Sequence, residues 1–145
     1  AFHEAQQPSF TVYANQVVLN AKAMAGVFLE GCVRLIGGGT DNHLILADVT
    51  SLGLSGGEAE TLIDRAGMTL NKNSIANDTR KPFDPSGIRF GTPAMTTRGF
   101  TEEDSKEVAR TMLTVLKERD DAAVAKARTA IKDLAEAHPI PDSFN

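Results

Sequence analysis

The sequence predicts an α+β fold: a two-layer sandwich in which flanking helices cover a small, largely antiparallel sheet. Three observations predict it. A long stretch near the N-terminus repeats apolar residues every three or four positions; short apolar runs bounded by glycine and proline follow; two capped amphipathic segments close the chain. At 145 residues, the chain has the length of one domain with one core.

The long helix comes first. Phe10, Tyr13, Val17, Ala21, Met24 and Phe28 share one helical face, Pro8 and Ser9 suit its start, and Gly31 suits its end. A helix over roughly 9–30 is long for so small a domain, which suggests a connector to something else. Residues 32–36 and 43–49 read as strands joined through GGGTDN, whose consecutive glycines permit backbone conformations closed to other residues. Ser55 and Glu58 then have capping-box spacing ahead of a short amphipathic helix carrying Ala59, Leu62, Ile63 and Ala66, which Gly67 stops.

Residues 68–70 read as a strand, followed by the polar loop NKNSIANDTRKPFDPS. That loop is long and lacks apolar periodicity, which marks it as a candidate for function. In SGIRFG, Ile88 and Phe90 alternate around Arg89 between two glycines, a short strand. Thr101 with Asp104 caps a helix carrying Val108, Met112 and Leu116. Asp120 or Asp121 starts a last helix with Val124, Ala127, Ile131 and Leu134, and Pro139 and Pro141 close the chain. The expected order is helix, strand, strand, helix, strand, strand, helix, helix.

Composition narrows the partners. Apolar residues make up 41% and charged residues 23%, as in a globular chain, and a net charge of −4 does not favour nucleic acid or anionic lipid. No apolar run approaches the roughly 20 residues of a membrane helix, and no signal peptide is visible. With Cys32 as the single cysteine, no internal disulfide can form, and a cytoplasmic location is expected. The first residue is alanine, which hints at a processed or excised piece.

Arg89 is the sharpest chemical signal. A guanidinium stays charged near neutral pH and offers a planar fork that fits a carboxylate. The local pattern admits two readings: an internal ion pair, with Asp48 as a partner, or a clamp for a small acid. Flanking Gly87 and Gly91 would let a ligand or another backbone approach closely. Arg98 in TRGF is read as bonding a loop carbonyl or facing solvent. Asp41 and His43 make half a metal site and are read as a polar turn. Cys32 is read as a small buried residue, and Lys72 as a solvated lysine. GGGT lacks the ending of a phosphate loop, and no GxGxxG or GxSxG occurs.

Taken together, GGTDNHLILADV, NKNSIAND, KPF and SGIRFGTPAMTTRGF stand in the order and spacing of the C-terminal part of the serine hydroxymethyltransferases. The chain resembles that family over essentially its whole length. The resemblance implies that 1–145 is the small domain of a fold-type I pyridoxal-phosphate enzyme, with 9–30 leading to a large domain outside the chain. It implies that Arg89 binds the α-carboxylate of serine or glycine, that Asn73 contacts folate, and that Lys81, Pro82 and Phe83 line the folate site. Lys81 stands where the family usually has a small residue, and no proline follows the apolar residue of NKNSIAND.

The implied reaction moves the hydroxymethyl carbon of serine to tetrahydrofolate, leaving glycine, with pyridoxal phosphate held on a lysine that follows a Thr-Thr-His run. Lys22, Lys72, Lys81, Lys106, Lys117, Lys126 and Lys132 all lack that context. Catalytic and cofactor-binding residues are therefore expected upstream, no metal is expected, and the chain alone is expected to be inactive with weak folate affinity. The full-length enzyme is expected to be a homodimer or larger homo-oligomer, without nucleic-acid or membrane partners. Two other readings compete: a free-standing regulatory domain that binds an amino acid through Arg89, and a structural domain in which this arginine closes an internal pair.

Overall fold

The computed structural model describes residues 1–141. Helix α2 (Pro8–Glu30) buries Val17, Ala21, Met24 and Phe28, the apolar stripe that the three- and four-residue spacing puts on one face. Pro8 lies in its first turn, where the missing N–H has no intrahelical partner to lose. A four-residue helix α1 (Phe2–Ala5) precedes it, with no buried residue and no apolar period to announce it.

The end of α2 corrects one expectation. Val33 N–H donates to the Phe28 carbonyl and Cys32 N–H to that of Leu29, each at 3.0 Å, while Cys32 takes φ 62°. This is the helix-ending turn in which a left-handed residue reverses the chain. Cys32 occupies that residue and is exposed; its neighbour Val33 takes the buried place.

Four strands, β1 (Arg34–Leu35), β2 (Leu44–Asp48), β3 (Asn71–Asn73) and β4 (Gly87–Gly91), form one sheet in the order β1-β2-β4-β3. Every neighbouring pair is antiparallel. β1 is shorter than expected because Ile36–Gly38 winds into a 3-10 turn through Gly37 (φ 82°) and Gly38 (φ 76°). β3 lies at the polar residues Asn71–Asn73 rather than at 68–70. Met68 and Leu70 do pack on the core, but as irregular chain leaving a helix; apolar content there signalled burial, not pairing.

Helices α3 (Gly56–Arg65), α5 (Glu102–Glu118) and α6 (Asp121–Ala137) begin as the sequence predicts. The Ser55 and Thr101 side chains accept the N–H of Glu58 and Asp104, whose carboxylates accept the cap N–H in return. Asp120 accepts from Ala123 N–H at 2.7 Å. A five-residue helix α4 (Pro93–Thr97) was not expected from its small polar residues. Buried polar bonds hold it against α2. Thr92 Oγ1 donates to the Val17 carbonyl at 2.7 Å, and Asn20 Nδ2 donates to Thr96 Oγ1 at 2.9 Å and to the Phe100 carbonyl at 2.8 Å.

The core fills one face of the sheet. Ile45, Ala47, Ile88 and Phe90 meet Met24 and Phe28 of α2, Ile63 of α3, and Met112 and Leu116 of α5 in one apolar cluster; the Phe28 and Phe90 rings lie 5.1 Å apart. Helices on one side and sheet on the other make the two-layer α+β arrangement, and leave Arg34, Leu46, Asn71 and Arg89 on the opposite sheet face.

Candidate functional site

Strand alternation sets the position of Arg89. β4 runs between β2 and β3, and with Ile88 and Phe90 turned to the core, Arg89 lies on the other face, opposite Leu46 and Asn71. It is exposed. Among the described residues, no carboxylate comes within 4.0 Å of its guanidinium. The internal pair does exist, but with another arginine. The β1–β2 register sets Arg34 opposite Asp48, and Arg34 Nε and Nη2 donate to Asp48 Oδ2 at 3.1 and 2.9 Å. Thr50 N and Oγ1 donate to Asp48 Oδ1 at 2.9 and 2.6 Å. Burial works against the Asp48 charge, but the hydrogen bonds from Thr50 and Arg34 outweigh it and hold the carboxyl below its ordinary range.

Arg89 lines an open cleft of about 700 Å³ together with Asn73, Leu46 and the glycine-rich loop that joins β1 to β2. Thr40 Oγ1 donates to the Leu44 carbonyl at 2.6 Å, and Asn42 Oδ1 accepts Leu44 N–H at 2.7 Å, which pins the far half of that loop. Gly37 and Gly38 are needed for conformation, since a Cβ on either would meet nothing within 4 Å. Gly87 and Gly91 are needed for space. A Cβ on Gly87 would sit 2.7 Å from the Asn73 carbonyl oxygen, and one on Gly91 2.6 Å from that of His43. Of the two uses weighed for the flanking glycines, the structure shows approach of neighbouring backbone.

The other predicted residues are placed as follows. The Asn73 side-chain amide donates to the Ser74 carbonyl at 2.6 Å beside the cleft. Lys81, Pro82 and Phe83 are exposed and do not line that cleft; Lys81 Nζ lies 5.7 Å from the centre of the Phe83 ring. The structure thus brings Arg89 and Asn73 together and leaves the KPF segment apart. Arg98 donates to the carbonyls of Ala135 and His138 and so closes the C-terminal end of α6; a loop carbonyl or solvent was expected, and the partners are the last carbonyls of a helix. Lys72 is exposed. Asp41, at the cleft rim, lies 3.8 Å from Lys22 Nζ. No described helix is long and apolar enough to cross a membrane.

One residue escaped sequence reasoning. Asp78 accepts four hydrogen bonds, from Ile75 N (3.2 Å), Arg80 N (2.9 Å), Ser86 N (3.0 Å) and Ser86 Oγ (2.6 Å). These bonds, that of the Ser86 hydroxyl first, hold its carboxyl far below the ordinary range. The short turn from Asp78 to Arg80 is a familiar aspartate motif. The closure to Ser86 leaves no mark in spacing.

Among the described residues the Arg89 guanidinium has no carboxylate within 4.0 Å, and it shares its cleft with Asn73 and the glycine-rich loop; a guanidinium so placed keeps its planar donor fork open. Comparison with known proteins supplies the family. Residues 1–112 match the family described as Serine hydroxymethyltransferase. The chain is 48% identical over 142 residues to a protein named serine hydroxymethyltransferase from Lactobacillus johnsonii, 47% to one from Lactobacillus gasseri and 46% to one from Lactobacillus acidophilus. Each match covers 97% of this chain and 34% of the relative. The chain belongs to the serine hydroxymethyltransferase family, and it spans about a third of the length of the relatives it matches.

Proposed function

We propose that this chain is the C-terminal third of a serine hydroxymethyltransferase, and that its part in the reaction is to hold the amino-acid substrate by its carboxylate. The observation that carries this is the pairing pattern on the outer sheet face. Arg34 satisfies Asp48, and Arg89 faces the cleft with no carboxylate of its own among the described residues. Two parallel hydrogen bonds from that fork fix both the position and the plane of a carboxylate. Orientation of this kind converts binding into rate, because the bond to be broken is held in line with the group that receives its electrons. The name serine hydroxymethyltransferase, borne by the relatives, supports serine as the acid held and disfavours the free-standing regulatory reading; glycine, the same amino acid without the hydroxymethyl group, presents the same carboxylate.

Tetrahydrofolate is the acceptor of the one-carbon unit in this proposal. Asn73, which offers both a donor and an acceptor to a pterin edge, and the exposed ring of Phe83 with Lys81 and Pro82 would meet it from this side. Pyridoxal phosphate, when bound, supplies the electron sink for the carbon–carbon cleavage. The residues present do not fit it: among the described residues no lysine lines the cleft, so the amine that carries the cofactor would come from elsewhere in the enzyme. α2 fits the role of connector to that large domain. Phe2, just ahead of it, is 90% exposed and Val12 within it is 70% exposed, apolar surface of the kind that marks an interface. A homodimer in the cytoplasm completes the proposal.

The test is Arg89→Ala and Arg89→Lys in the full-length enzyme carrying this chain. Truncating one partner of a bonded charge pair costs about 2–5 kcal/mol, so the KM for serine should rise at least about 30-fold in Arg89→Ala. Lysine keeps the charge but not the fork and should recover only part of the loss. An unchanged KM for serine in both variants would end the proposal.

A further inference from the structure

We infer that Asp78 is a positioning residue, which holds the segments proposed to meet folate, those of Asn73 and of Lys81 with Phe83, against the strand of Arg89. The inference rests on the folate reading of those residues. Its ground is one carboxylate that touches all three segments. Asp78 Oδ2 accepts from Ile75 N, two residues beyond Asn73, and from Ser86 N, three residues before Arg89. Asp78 Oδ1 accepts from Arg80 N, the neighbour of Lys81, and from the Ser86 hydroxyl.

The knot is anchored at one end and loose at the other. Ser86 is buried, its carbonyl accepts Val49 N–H at 3.1 Å, and the Pro85 carbonyl accepts Gly56 N–H at 2.7 Å. β4 itself is paired along its whole length with β2. β3, by contrast, is a three-residue edge strand, and residues 74–86 contain no helix or strand. Asn77, at φ 58°, makes the left-handed step that brings Asp78 back to Ile75, a conformation asparagine tolerates better than most residues. The Ile75 side chain closes against Gly87, since a Cβ there would lie 2.5 Å from Ile75 Cγ2. Without the carboxylate, Ile75 N, Arg80 N and the Ser86 hydroxyl lose their common acceptor. Arg89 stays on its central strand while Asn73, Lys81 and Phe83 drift.

This asymmetry gives a test that a general loss of stability would not reproduce. In the full-length enzyme, Asp78→Ala should raise the KM for tetrahydrofolate about tenfold or more, because a misplacement near 1 Å is enough for losses of that size. The KM for serine should change by less than about threefold, because its proposed contact stands on the paired strand. Asp78→Asn keeps one acceptor oxygen and should fall between wild type and alanine. Ser86→Ala, which removes a single bond, gives a smaller shift of the same kind and serves if Asp78→Ala does not fold. A lower Tm with both KM values unchanged would overturn the inference, as would equal rises for the two substrates. Asn73→Ala and Phe83→Ala tell the two failures apart. If neither moves the folate KM, the folate reading falls and takes the inference with it; if they raise it and Asp78→Ala does not, the inference alone falls.

Discussion

Replacing Arg89 and Asp48 separately by alanine in this chain separates a ligand clamp from a structural pair by stability alone. Arg89 makes no ion pair among the described residues and its side chain is exposed. Arg89→Ala should therefore change the unfolding free energy by no more than about 0.5 kcal/mol, the range of ordinary surface substitutions. Asp48 differs. Its side chain is 12% exposed while that of Arg34 is 61% exposed, so solvent screening limits their ion pair to about 1 kcal/mol or less. The larger part comes from Thr50, whose N–H and hydroxyl both lose their acceptor, a loss of about 1–3 kcal/mol. Asp48→Ala should cost about 1–4 kcal/mol in all. At about 2–4 °C per kcal/mol for a domain near this size, that lowers Tm by roughly 2–16 °C, against 2 °C or less for Arg89→Ala. Thermal melts followed by circular dichroism, with urea midpoints at constant m, read both. A loss of about 3 kcal/mol or more in Arg89→Ala would refute the reasoning, because it would reveal a structural partner for the guanidinium.

Three further predictions follow from local geometry. Cys32→Gly should raise stability by about 1 kcal/mol, seen as a rise in Tm, because Cys32 holds the left-handed position at the end of α2 that glycine adopts freely; an unchanged or lower Tm would contradict this. Gly87→Ala should destabilise the chain by about 1–3 kcal/mol, read by urea denaturation, since the added carbon would press on the Asn73 carbonyl and Ile75; an unaltered midpoint would show that β3 can move aside at no cost. Acid should unfold the chain through Asp48, Asp78 and Asp104, whose folded-state pKa values are all lowered from the ordinary 3.8. The unfolded chain then binds protons more readily than the folded one. The stability these carboxylates contribute is fully present above the ordinary value and is lost as pH falls below it toward the folded values. Tm should be level above about pH 5 and fall progressively below about pH 4, and a Tm unchanged down to pH 3 would contradict the assignment.

Much of the architecture is written in short-range pattern. The stripe of α2 and the capping boxes of α3 and α5 are local signals, and their outcome depends on neighbours three or four residues away. The strand of Arg89 is legible for the same reason, because alternation over a few residues assigns faces. Misplaced features are those that distant partners decide. β3 lies at Asn71–Asn73 because β4 offers its edge there, although the apolar content sits at Met68 and Leu70. α4 forms because Asn20 and Thr92, far apart in sequence, bond across to complete it. Asp48 was the right carboxylate for an internal pair, but its arginine is Arg34, which the β1–β2 register selects. Cys32 is exposed although its residue type favours burial, because the end of α2 places the left-handed turn there. At the candidate site, residue chemistry singles out Arg89, whereas the knot at Asp78 is made by Ser86, eight residues away across a loop with no periodic pattern.

The most direct measurement is a crystal structure of the full-length enzyme carrying this chain with glycine or serine bound. Two nitrogens of the Arg89 guanidinium should each lie within about 2.7–2.9 Å of a different oxygen of the ligand carboxylate, in one plane. A carboxylate held by some other residue, with Arg89 beyond hydrogen-bond reach or turned to a protein acid, would contradict this.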